Sequence, residues 1–189
     1  MPSFDYDVRY LEAGLELLEQ YLLSKEIYWP IGVSAPPGEP DLPRLTLGGL
    51  LLARTRARAW AVSSSQQEQV YRLETRLDEV RSHWRVTWER KAAQEFRSRS
   101  SLWRDFLEEY RQNQENNADR YTYEVQRRAM LDLLLEESAE IEPADRDLLF
   151  ALDQLLRAVL LPGDFVWDQN LARGFPPDKF WYLYGKPKV

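Results

Sequence analysis

Residues 65–110 read SQQEQVYRLETRLDEVRSHWRVTWERKAAQEFRSRSSLWRDFLEEY, and this stretch decides the fold class. It contains no Gly and no Pro. Val70, Leu73, Leu77, Val80, Trp84 and Trp88 follow one another at steps of three and four, and Phe96, Trp103, Phe106 and Tyr110 continue the stripe. Such spacing keeps side chains on one face of a helix. Ser65 and Glu68 match a Ser-x-x-Glu capping box at its start. As one helix the segment would be a rod of about 70 Å, roughly twice the width of a compact chain of this size. It therefore either protrudes as an arm of a coiled coil or breaks. Residues 97–101, where the apolar phase slips, are the expected break.

On either side, the same periodicity predicts further helices. Val8, Leu11, Leu15, Leu18 and Leu22 place one over residues 7–24, capped by Asp5 or Asp7. Gly14 within it marks a close helix contact. Residues 44–62 form a second, with Arg54, Arg56 and Arg58 fanned around it. Residues 112–119 are a polar turn, and residues 120–141 a further helix. Pro143 opens the next in the position proline favours. Its body, DLLFALDQLLRAVLL, is apolar nearly all round and predicts the most buried helix. The whole is expected to be an all-α, single-domain antiparallel bundle of five or six helices.

Two segments are not helical by pattern. Residues 28–43, YWPIGVSAPPGEPDLP, hold five prolines and predict a crossover strap anchored by Tyr28, Trp29 and Ile31. Residues 164–189 are irregular and aromatic, with Phe165, Trp167, Phe175, Phe180, Trp181, Tyr182 and Tyr184. That tail is expected to dock on the bundle, with one short helical turn over 180–184.

Composition narrows the function classes. The chain has 189 residues, 44% of them hydrophobic, and no Cys. Disulfides, thiolate metal sites and cysteine nucleophiles are excluded. No secretory pattern opens the chain, and no apolar run is long enough for a membrane span, so a cytoplasmic protein is expected. The net charge of −6 conceals a segregation: residues 1–42 carry two basic and eight acidic side chains, residues 43–104 thirteen and six, and residues 105–146 five and twelve. Such blocks predict basic helices lying against acidic ones before and after them.

Three chemistries are weighed. His83 is the only histidine and sits mid-helix, no Gly-x-Ser-x-Gly elbow exists, and phosphate-binding glycine patterns are absent; no catalytic residue and no cofactor are expected. Carboxylates alone can hold Mg²⁺, and Glu136, Glu137 and Glu140 form a Glu-Glu-x-x-Glu, followed by Glu142 and Asp145 as a Glu-x-x-Asp. This resembles the metal-binding motif pair of the all-α nucleoside triphosphate pyrophosphatases, and the resemblance implies a Mg²⁺-dependent nucleotide hydrolase. It covers about ten residues, and here the two motifs abut across Pro143, whereas the family separates them by a turn and much of a helix. Finally, Arg81, Arg85, Arg90, Lys91, Arg97 and Arg99 interleave with Trp84, Trp88 and Trp103, a pattern suited to single-stranded nucleic acid. The competing reading makes the tryptophans core and the arginines their rim.

The sequence thus predicts a non-enzymatic interaction or scaffolding protein acting through its helical surface. A nucleic-acid-binding protein and a nucleotide hydrolase are the alternatives. A homodimer is expected, with Trp84, Trp88 or Trp103 at its interface.

Overall fold

The computed structural model describes residues 2–188. Its helices are α1 (Phe4–Leu23), α2 (Leu47–Trp60), α3 (Ser64–His83), α4 (Arg85–Gln112), the single turn α5 (Gln114–Asn117), α6 (Tyr121–Leu135) and α7 (Pro143–Arg157). About 68% of the chain is helical, and the all-α bundle is as expected.

α2 is the centre. Leu47, Leu50, Leu51, Leu52, Ala53 and Ala57 bury round its circumference, and α1, α3, α4, α6 and the tail all pack on it. The apolar run of α7, read as the most buried helix, is peripheral instead. Leu149, Leu152 and Leu156 face the core, while Phe150 and Leu155 face outward. Leucine in both phases makes such a sequence look buried all round, but α7 lies at the edge of the bundle, packed on α4 and tied to α6 by the Asp153–Arg128 pair.

The long stretch is broken, but at Trp84 and not at residues 97–101. Trp84 leaves the helical region (φ −107°, ψ 31°), ending α3 and starting α4. The phase slip near residue 100 is not a break, because polar residues occupy core positions there: Arg99 and Ser100 are buried between Phe96 and Trp103. Two caps also move. Ser63, not Ser65, forms the capping box of α3, with Gln66 as its partner. Ser3 caps α1 in place of Asp5 or Asp7.

The strap over residues 28–43 is held where expected. Trp29 and Leu45 exchange backbone hydrogen bonds of 3.0 and 2.8 Å, Ile31 is buried, and the Tyr28 hydroxyl lies 3.2 Å from Ser98 Oγ. The tail docks on the bundle as expected but is more regular than its composition suggests. Strands β1 (Leu160–Phe165) and β2 (Tyr184–Pro187) pair antiparallel, and Trp181–Leu183 forms the expected turn as a 3₁₀ segment. Phe165, Trp167, Phe175 and Phe180 meet edge-on or tilted, a favoured arrangement for aromatic rings. Tyr121 donates to Tyr182 O (2.6 Å) and Arg173 to Ala59 O (2.6 Å), fixing the tail to α6 and α2.

The charge blocks meet as expected. Arg56 pairs with Asp7 at 2.6 Å, Arg76 with Glu16 at 2.9 Å, Arg81 with Glu137 at 2.9 Å, and Arg97 with Glu142 and Asp145 at 3.0 and 3.1 Å. Each pair joins the basic middle to an acidic flank.

Candidate functional site

The interior holds more charge than a helical bundle needs for packing. Arg56 on α2 donates through Nε to both oxygens of Asp7 (3.0 and 3.1 Å) and through Nη1 to Gln126 Oε1 (3.4 Å). Glu95 on α4 accepts from Arg99 Nε (3.0 Å) and Nη2 (2.5 Å), and from the Gly48 backbone N–H through both oxygens (3.1 and 3.0 Å). Arg99 Nη2 also donates to Thr46 Oγ1 at 3.1 Å. Asp7, Arg56, Glu95 and Arg99 are all buried.

Arg56 and Arg99 line a cavity of about 220 Å³ between α1, α2, α4, α6 and the end of the strap. Tyr10, Arg44, Thr46, Tyr123, Gln126 and Arg127 are among its polar lining, and Pro43, Leu52, Leu102 and Met130 among its apolar lining. Burial pushes the Asp7 carboxyl up to about 6, against the pull of the Arg56 guanidinium. Burial likewise raises the Tyr10 phenol. Burial works against the Arg99 charge, but the Glu95 carboxylate outweighs it and Arg99 ends above its ordinary range. Burial holds Arg127 below its ordinary range, and the Arg99 charge nearby adds to the effect.

Sequence pattern alone missed this site, because Asp7, Arg56 and the Glu95–Arg99 pair are far apart in the chain. One signal was available: the arginines fanned round α2 and the polar pair at the phase slip of α4 both break an otherwise apolar face.

Of the six cations read as a nucleic-acid face, two are interior and three are ion-paired. Lys91 is buried and donates to the backbone oxygens of Ser24 (2.7 Å) and Glu26 (2.8 Å) at the end of α1. Arg99 is buried as described. Arg81, Arg85 and Arg97 pair with Glu137, Glu89 and Glu142, at 2.9, 2.9 and 3.0 Å. Arg90 is exposed and forms no ion pair among the described residues.

The three tryptophans are not a shared surface either. Trp88 and Trp103 are buried within the chain's own core, and Trp84 is half-buried at the helix break. Trp88 Nε1 donates to Glu137 Oε2 at 2.9 Å. The break at Trp84 lets the chain cover much of its own stripe with Trp88 and Trp103.

The carboxylate cluster is also dispersed. Glu136 pairs with Lys179 at 2.5 Å, Glu137 faces Trp88 and Arg81, Asp145 pairs with Arg97, and Glu140 is exposed. Among the described residues no three metal-ligating side chains converge. The short spacing across Pro143 sends the two motifs to different neighbours. Part of both candidate sets does meet in a cleft of about 650 Å³ at the α3–α4 break, where Arg81, Arg85 and Arg146 stand beside Asp78, Glu89, Glu136 and Glu137. Four acidic side chains face three basic ones there.

One surface stands out as apolar. Phe150 (66% exposed), Leu155 (43%) and Leu161 (58%) project from α7 and the start of β1, with Ala151 and Ala158 exposed nearby and the polar Gln154 and Arg157 exposed among them. Asp147 is exposed at one end of this stripe. At the other end a hollow of about 250 Å³ is lined by Leu155, Ala158, Arg111 and Lys188. None of Asp147, Arg111 and Lys188 forms an ion pair among the described residues. No helix among them is long and apolar enough to cross a membrane.

Comparison of the chain with models of protein families, with characterised proteins and with solved structures finds no match.

Proposed function

We propose that this is a non-enzymatic interaction protein whose working surface is the outer face of α7, and that its first partner is a second copy of itself. The outward stripe of Phe150, Leu155 and Leu161 carries this reading. Clustered, exposed apolar side chains on one helix are what a partner covers. The charges around the stripe favour a second copy laid antiparallel. Asp147 at the N-terminal end of one α7 would then approach Arg111 and Lys188 of the other, and the two helix dipoles would oppose. An isologous contact of this kind needs no second protein to complete it.

The nucleic-acid alternative loses support because two of its six cations are interior and three are held by carboxylates. The hydrolase alternative loses support because its carboxylates are separated.

Sedimentation velocity over a range of concentrations tests the proposal. The account expects a species at twice the 22.4 kDa chain mass. Phe150→Asp should return it to a monomer with an unchanged circular dichroism spectrum, because an unpaired charge in an apolar interface is strongly unfavourable. A wild-type protein that remains monomeric at high concentration refutes the self-association, and so does a Phe150→Asp variant that still dimerises.

A further inference from the structure

We propose that the arginine-lined cavity between α1, α2, α4 and α6 binds a small organic anion: a carboxylate or phosphate carried on a single apolar ring.

The wall has the chemistry for both halves of such a ligand. Four arginines, Arg44, Arg56, Arg99 and Arg127, line the cavity, and no Asp or Glu among the described residues does. The carboxylates that balance them lie behind the wall. Asp7 holds Arg56, Glu95 holds Arg99, and Glu124 holds Arg127. Arg44 has no such partner among the described residues, which leaves one cation in excess. The donors are not used up by these pairs. Guanidinium has five N–H donors. Arg99 spends Nε and Nη2 on Glu95 and Thr46, while its Nη1 makes no hydrogen bond among the described residues. Arg56 Nη1 makes one long bond, 3.4 Å, to Gln126.

The carboxylates behind the wall fix the direction of the remaining donors before any ligand arrives. Such preorganisation lowers the cost of binding. A planar fork of this kind matches a carboxylate or phosphate oxygen pair. The rest of the wall is mixed: Pro43, Leu52, Leu102 and Met130 are apolar, Tyr6, Tyr10, Tyr28 and Tyr123 aromatic, and Thr46 and Gln126 polar. At about 220 Å³ the space lies below the roughly 300–1,000 Å³ of pockets for drug-sized ligands, which limits the apolar part to about one ring. The strap supplies Tyr28 and Pro43 to the same wall, so an occupant would also touch the α1–α2 connection.

Isothermal titration of the full chain with benzoate, phenyl phosphate, benzyl alcohol and inorganic phosphate tests this. Benzoate or phenyl phosphate should bind at least tenfold more tightly than benzyl alcohol, which lacks the charge, and than inorganic phosphate, which lacks the ring. The tighter of the two identifies the headgroup. Arg127→Gln and Arg44→Gln should each weaken that binding by tenfold or more with an unchanged circular dichroism spectrum. Tyr71→Ala, on the exposed side of α3, should leave it unchanged. The proposal is overturned if neither anion exceeds benzyl alcohol, or if both arginine variants bind as the wild type does.

Discussion

Glu95, buried in α4, accepts the backbone N–H of Gly48 through both carboxylate oxygens, at 3.1 and 3.0 Å, and so satisfies an open donor in the first turn of α2. A negative charge at that end also complements the helix dipole. One turn earlier on α4, Lys91 donates to the Ser24 and Glu26 carbonyls at the other end of the connection, where α1 stops. Two charged residues of one helix thus hold both ends of the proline-rich strap.

Glu95→Ala would leave Arg99 buried without its partner and Gly48 without an acceptor. Breaking a buried pair by removing one member costs about 3–5 kcal/mol. A urea melt should show a loss of that order. A loss within the ±0.5 kcal/mol or so typical of a surface substitution would mean that the clamp contributes little.

Gly48→Ala should also destabilise, although alanine is favoured over glycine in a helix by about 1 kcal/mol. A Cβ at this position would lie 2.6 Å from Glu95 Oε1 and 3.2 Å from Met130 Cβ. Overpacking of this kind costs about 1–3 kcal/mol, so the midpoint of thermal unfolding should fall. The same holds for Gly14, whose Cβ would meet Leu50 Cδ2 at 2.6 Å, the close helix contact that its place in the sequence suggested. A rise in midpoint for Gly48→Ala would show that the backbone there has room.

Asp7 gives the protein a pH dependence of defined sign. Unfolded, its carboxyl has the ordinary pKa near 3.9; folded, burial raises it to about 6. Between those values the folded state holds the extra proton, so this group's contribution to stability falls as pH rises. A gap of about two units corresponds to about 3 kcal/mol. Asp7→Asn does not titrate. The wild type's stability relative to that variant should therefore decline between about pH 4 and pH 7. A relative stability that grows over this range would mean that the Arg56 pairing, and not burial, governs the carboxyl.

Trp88→Phe should lower stability by about 1–3 kcal/mol, because it removes one of two donors to the buried Glu137 carboxylate, the other being Arg81. It should leave the association state unchanged. A shift in sedimentation without a loss of stability would put Trp88 back at a subunit interface.

The helices were legible because their apolar spacing is local. The strap was legible because proline excludes a helix, and the docked tail because aromatic residues rarely stay in water. The break at Trp84 was not, since no glycine or proline marks it. The slip near residue 100 misled because Arg99 takes a core position that only a distant partner network explains. The position of α7 was misread for a related reason: leucine in two phases cannot show which face has a neighbour. The cavity was the least legible feature, since Asp7, Arg56, Glu95, Arg99 and Arg127 come together only once four helices have packed.

Cysteine cross-linking through α7 tests the central claim most directly, because the chain contains no cysteine of its own. Gln154 is exposed on the outer side of α7, near the middle of the apolar stripe, where an antiparallel twofold pair would cross. Disulfides form when the two Cα atoms lie about 4.4–6.8 Å apart. Gln154→Cys should oxidise to a covalent species of twice the 22.4 kDa chain mass, while Tyr71→Cys, on the exposed side of α3, should form no covalent dimer. A Gln154→Cys protein that does not cross-link, or that cross-links no faster than Tyr71→Cys, would contradict an α7-to-α7 pairing.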